Sequence, residues 1–83
     1  MVPGNADPIR GKEVFKASCG SCHTLSDAGT SGQIGPNLDQ VQPDYETVRE
    51  KVAEGGGGMP AFSGQLTPQQ IRDVAAYVAT KAG

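Results

Sequence analysis

The chain has 83 residues and a formal charge of −2, with twelve glycines, six prolines, two cysteines and one histidine. That length holds one domain and excludes a doubly wound sheet, a TIM barrel or a two-domain enzyme. A net negative charge with no lysine or arginine run argues against nucleic acid, and no apolar run approaches the ~20 residues of a membrane span.

So short a chain buries little surface and usually needs a metal, a cofactor or disulfides as a staple. Its aromatics are Phe15, Tyr45, Phe62 and Tyr77, with no tryptophan. The protein-only core is therefore thin, and a cofactor large enough to act as core is expected. Residues 1–5 are short and polar and do not read as a signal peptide. If the protein works outside the cytoplasm, a targeting segment has been removed.

Taken in chain order, three segments read as helices. The first covers residues 7–18: Asp7 suits an N-cap, Pro8 the first helical position, and Ile9, Val14, Phe15 and Ser18 fall near one face. Gly11 inside it costs about 1 kcal/mol against alanine, which points to close approach by another element. The second covers 44–54, with Tyr45, Val48 and Val52 on one face and Gly55 as a stop. The third covers 67–81. Thr67 and Gln70 match a capping box, Pro68 suits the first position, and Ile71, Val74, Tyr77 and Val78 make an apolar stripe.

Two long loops lie between the helices. Residues 24–43 include Gly29, Gly32, Gly35 and Pro36, and residues 55–64 include four consecutive glycines followed by Met59 and Pro60. Loops of this length in so small a domain are either disordered or packed against something other than protein. No alternating run marks a strand, so the expected class is all-α.

Cys19-Gly20-Ser21-Cys22-His23 reads C-x-x-C-H, the attachment pattern for c-type haem. Two thiols three residues apart can add to the two vinyl groups of one porphyrin, and the next residue then offers an imidazole to the iron. A structural zinc site needs about four nitrogen or sulfur ligands, and three adjacent ones fall short of that. A thioredoxin-like dithiol belongs in a βαβ pattern that this chain lacks. The expected cofactor is thus one haem c, covalent through Cys19 and Cys22, with His23 as an axial ligand; the dithiol and metal readings are the alternatives.

The second axial ligand follows by elimination. His23 is the sole histidine, and the methionines are Met1, at a terminus, and Met59, on a polar glycine-rich loop. Met59 as ligand gives the Met/His pair that raises the reduction potential. Lys51, Lys81 or no sixth ligand remain the alternatives, and a lone methionine can also be a core filler. With both axial positions taken, the iron has no open site for oxygen or peroxide, so electron transfer is expected rather than catalysis.

These residues give the chain a resemblance to short class I bacterial cytochromes c over nearly its whole length. The segments that carry it are Gly11-x-x-x-Phe15, Cys19-x-x-Cys22-His23-Thr24, Gly35-Pro36-Asn37-Leu38, Met59-Pro60-Ala61-Phe62 and Ile71-x-x-Val74-Ala75-Ala76-Tyr77-Val78. The last two are similar to the cytochrome c6 and c553 group. The Gly-Pro-Asn-Leu segment is more like haem domains fused to oxidases and dehydrogenases.

The resemblance implies a small class I cytochrome c fold, with three main helices and long loops wrapped around one covalent haem. Residues 7–83 would form that domain and 1–6 a tail or linker remnant. Gly11 and Phe15 would sit where the first helix crosses the last, near Val74 and Tyr77. The Pro36 carbonyl would accept a hydrogen bond from the His23 ring, fixing its orientation. Leu38 and Phe62 would line the haem pocket, though Leu38 reads equally as generic core. The family's propionate contacts do not carry over, since tryptophan is absent; of the available donors Tyr45, Gln40, Gln42 and Arg49, Tyr45 is the expected one, unless it only heads its apolar stripe.

The implied function is a non-enzymatic, single-haem electron carrier, monomeric and not membrane-spanning. It would work in the periplasm or another extracytoplasmic space, lumenal in a photosynthetic cell. It would dock transiently on redox protein partners around Cys19, Cys22 and the 59–62 loop, with little salt dependence. The alternatives are a haem domain of a larger oxidase or dehydrogenase, and a haem-based ligand sensor in which Met59 dissociates.

Overall fold

The computed structural model describes residues 3–19, 23–32, 37–56, 59 and 61–82. Its elements run α1 (Pro8–Ser18), β1 (Thr24–Leu25), a 3₁₀ turn (Ser26–Ala28), β2 (Thr30–Ser31), α2 (Leu38–Val41), α3 (Tyr45–Glu54) and α4 (Pro68–Lys81). The three long helices have the limits that capping chemistry predicts. The Asp7 carboxylate accepts from the Ile9 N–H at 2.8 Å and opens α1. Asp44 accepts from the Thr47 N–H at 2.8 Å and opens α3. At α4 the box is reciprocal, with Gln70 N–H to Thr67 Oγ1 at 3.1 Å and Thr67 N–H to Gln70 Oε1 at 2.8 Å. Gly55 ends α3 at φ 70°, a left-handed value that glycine adopts without strain.

The core forms where α4 meets α1 on one side and α3 on the other. Gly11 makes the first contact possible. A methyl at Gly11 would overlap the Asp73 carbonyl and stand 2.8 Å from Tyr77 Cβ. One turn on, the rings of Phe15 and Tyr77 meet at 5.9 Å, tilted by 57°, a favourable aromatic arrangement. Tyr45, Val48 and Val52 bury the inner face of α3. The buried face of α4 runs from Ile71 to Val78 and contains one carboxylate, Asp73. No helix among the described residues is long and apolar enough to cross a membrane.

The stretch 24–43 is not featureless, as its composition suggests. β1 and β2 pair antiparallel, Thr24 opposite Ser31 and Leu25 opposite Thr30, around the 3₁₀ turn. Asn37 caps the single turn of α2, and Gln42 closes it at φ 50°. Elements of two to four residues are too short for hydrophobic periodicity to register. They are held by particular side-chain bonds instead.

Candidate functional site

Cys19 is the C-cap of α1. Its N–H donates to the Phe15 carbonyl at 2.8 Å, so the helix delivers the first thiol at its end. The His23 N–H then donates to the Cys19 carbonyl at 3.1 Å, which brings the imidazole-bearing residue back one turn beyond the thiol. Both are buried, at 5 % and 9 % exposure, although each follows the end of the helix. Cys22, between them, and Pro36 lie outside the described residues, as do Gly35, Pro60 and Met1.

The segment after His23 is tied down on its polar side. Thr30 Oγ1 donates to the His23 carbonyl at 3.0 Å and accepts from the Leu25 N–H at 3.1 Å. Leu25 itself is fully buried. At the tip of the hairpin, Tyr77 Oη donates to Asp27 Oδ2 at 2.7 Å, and Lys12 Nζ stands 3.7 Å from the same oxygen. The tyrosyl hydrogen bond, helped by the charges of Lys12 and Lys81, holds the Asp27 carboxyl below the ordinary carboxylate range. Burial, with the bond to Asp27, pushes the Tyr77 hydroxyl well above the ordinary phenol value.

Met59 sits in a tight turn. The Gly56 N–H donates to the Met59 carbonyl at 2.9 Å, and the Met59 N–H donates back to the Gly56 carbonyl at 3.1 Å. Gly56 has φ 117°, which a residue with a side chain rarely adopts. Three residues on, the Phe62 N–H donates to the Val52 carbonyl at 2.8 Å, fastening the loop to the end of α3. Met59, Phe62 and Leu38 are each half-buried and pack on the same apolar cluster, the first two from the loop between α3 and α4 and Leu38 from α2. α2, which begins at Leu38, lies against β1 and so beside the His23 segment. Tyr45 is 4 % exposed and belongs to the core cluster with Val48 and Val52.

The donor set fits a haem. Cys19 and His23 supply a buried thiol and a buried imidazole at the end of one helix, and half-buried Leu38, Met59 and Phe62 extend the apolar cluster. These are the groups a covalent, axially ligated macrocycle requires. Two contacts near the site have no signature in the sequence: the Thr30 hydroxyl beneath His23, and the Asp27–Tyr77 bond. A third is Asp73, which accepts from the Asp7 N–H at 2.8 Å, Gln69 Nε2 at 2.7 Å and Arg10 Nε at 3.1 Å. Its one sequence signal is that a carboxylate interrupts the apolar face of the last helix.

Comparison with known proteins agrees with this chemistry. Residues 6–78 match the family described as cytochrome c oxidase, cbb3-type, subunit III. Cytochrome c6 of Nostoc is 40% identical over 93% of this chain and 73% of its own length. Cytochrome c6 of Leptolyngbya boryana is 35% identical, covering 93% of this chain and 95% of its own. Among solved structures, the c-type cytochrome SorU from Sinorhizobium meliloti is similar at a TM-score of 0.85 and 45% identity, over 92% of this chain and 91% of that one. Cytochrome c6 from the diatom Phaeodactylum tricornutum gives 0.74 and 33%, over 93% and 95%.

Proposed function

The chain belongs to the class I c-type cytochromes, with cytochrome c6 among its relatives, and from that premise we propose that it moves single electrons through a haem iron held by His23 and Met59. The family binds one covalent haem c, and the class is that of single-haem electron-transfer cytochromes. Bound here, the haem supplies a ferric/ferrous couple; the protein supplies attachment, ligands and exclusion of water.

Cys19 and Cys22 would hold the group as thioethers, a thiol S–H having added across each of its two vinyl groups. His23 would supply a ring nitrogen to the iron and Met59 a soft thioether, a ligand pair that favours the ferrous state and raises the potential. By the family resemblance, the Pro36 carbonyl would accept from the His23 ring N–H that faces away from the iron and so fix the ring. Half-buried Leu38 and Phe62 would keep water from the macrocycle, and the Tyr45 hydroxyl would be the donor to a propionate. The observations that support this reading are a buried His23 just beyond the end of α1 and a half-buried Met59 in a turn closed by reciprocal backbone bonds.

A ligand pair of this kind leaves no open coordination position, so the reading is a carrier and not an enzyme. Its partners would be redox proteins that dock transiently around Cys19, Cys22 and the 59–62 loop, and its place would be extracytoplasmic, periplasmic or lumenal. Residues 7–83 form the haem-bearing domain, with 1–6 leading into it. A second reading, a haem domain working within a larger oxidase, is favoured by the cbb3-type subunit III match; a contiguous reading frame beside the gene would support it.

The visible spectrum of the purified holoprotein tests the ligand assignment. A c-type pyridine haemochrome with a weak far-red ferric band is expected. Met59→Ala is expected to keep the haemochrome, lose the far-red band and bind carbon monoxide in the ferrous state. A Met59→Ala spectrum unchanged from wild type would remove Met59 as the ligand.

A further inference from the structure

Resting on the assignment of His23 as an iron ligand, we propose that Tyr77 and Asp27 form a positioning anchor. Tyr77 on α4 holds the tip of the hairpin that starts at His23, and through that hairpin it seats the imidazole.

The chain of contacts is continuous. Tyr77 is 1 % exposed and immobilised against Phe15 at the α1–α4 crossing. Its hydroxyl reaches out of that crossing to Asp27 Oδ2 at 2.7 Å. Asp27 lies on the 3₁₀ turn between β1 and β2. From that turn the ladder Leu25–Thr30 leads back, and Thr30 Oγ1 closes on the His23 carbonyl at 3.0 Å. A rigid helix pair is thereby connected to the ligand's own backbone through two side-chain hydrogen bonds and one pair of strand residues. Lys12 on α1, 3.7 Å from the same carboxylate oxygen, and Lys81 at the end of α4 are the charged groups around it.

The geometry also explains a choice the core does not require. Phenylalanine at position 77 would pack on Phe15 as well as tyrosine does, so only the bond to Asp27 uses the hydroxyl. A charge-assisted hydrogen bond of this length is among the stronger side-chain contacts available. Tyr77 thus acts through Asp27 on His23 and touches no reacting atom; it is a positioning residue.

The experiment compares four variants of the holoprotein. Tyr77→Phe and Asp27→Ala break the anchor. Asp27→Asn keeps an acceptor for the hydroxyl. Asp73→Asn weakens the same helix crossing at a point with no connection to the hairpin. The readouts are the paramagnetically shifted ring-proton resonances of His23 in the ferric protein and the exchange rate of the Leu25 amide. Tyr77→Phe and Asp27→Ala are expected to move the ring resonances and to speed Leu25 exchange about tenfold. Asp27→Asn is expected to restore both, and Asp73→Asn to lower stability while leaving the ring resonances in place. If Tyr77→Phe and Asp27→Ala match Asp73→Asn at the ring, the anchor is overturned while the ligand assignment stands. A wild-type spectrum without His23 ring resonances would overturn the ligand assignment itself, and the anchor with it.

Discussion

Asp73 is a single carboxylate on an otherwise apolar helix face, and its surroundings set how the protein meets acid. Burial pushes its pKa up, but the Asp7 N–H, Arg10, Gln69 and the Arg10 charge outweigh that and hold it below the ordinary carboxylate range. A depressed folded pKa means the carboxylate's contribution is complete above the unfolded value, about 3.9, and disappears as pH falls through the folded one. Denaturant unfolding between pH 2 and 7 is therefore expected to show stability falling below about pH 4. Asp73→Asn should lower stability by about 1–3 kcal/mol at neutral pH and flatten the acid limb, because an amide cannot accept all three bonds. At the same scale, residue type and spacing were enough to make Cys19, His23 and Met59 candidates for the site. Thr30 and Asp27 were not among them, because a hydroxyl or carboxylate in a loop gives no sign of its partner until the chain has folded.

The long helices are the elements most nearly written in the sequence. Asp7, Asp44, Thr67 and Gln70 cap them as their spacing predicts, and Gly55 stops α3. Gly11 shows how one residue decides an inter-helix distance. Gly11→Ala gains about 1 kcal/mol of helix propensity, yet its methyl would overlap the Asp73 backbone carbonyl, which cannot move without shifting α4. The clash is expected to win. Thermal unfolding of Gly11→Ala should show a net loss of about 1–3 kcal/mol, the usual range for overpacking a filled site. The short elements escaped notice for a physical reason. β1, β2 and α2 are stabilised by Thr30, Asn37 and a left-handed Gln42, none of which creates a period.

At the scale of the molecule, the question is whether the polypeptide alone can hold itself together. Among the described residues the largest fully buried side chains are Tyr77, Phe15, Leu25, Val74 and Asp73. One of the five is a carboxylate; of the other four, Phe15, Val74 and Tyr77 come from α1 and α4 and Leu25 from β1. Leu38, Met59 and Phe62 are only half-covered by protein. That is a small core for 83 residues, where backbone ordering alone costs of order 1 kcal/mol per residue. Circular dichroism of a Cys19→Ala/Cys22→Ala double variant, which cannot attach haem, is expected to show most of the helical signal lost. Helicity equal to the holoprotein would mean that the helix crossings suffice unaided.

The sequence by itself determined the three long helices, the haem-attachment pattern and the two axial candidates. Each of these depends on residue type at a short, fixed spacing, and capping, helical periodicity and C-x-x-C-H are local chemistry. Tertiary structure alone decided that Asp73 stands against Gly11 and Arg10, that Tyr77 reaches Asp27, and that Thr30 closes on His23. These partners are 50 or more residues apart in two of the cases. Their bonds depend on where packed helices bring side chains together, which no local pattern encodes.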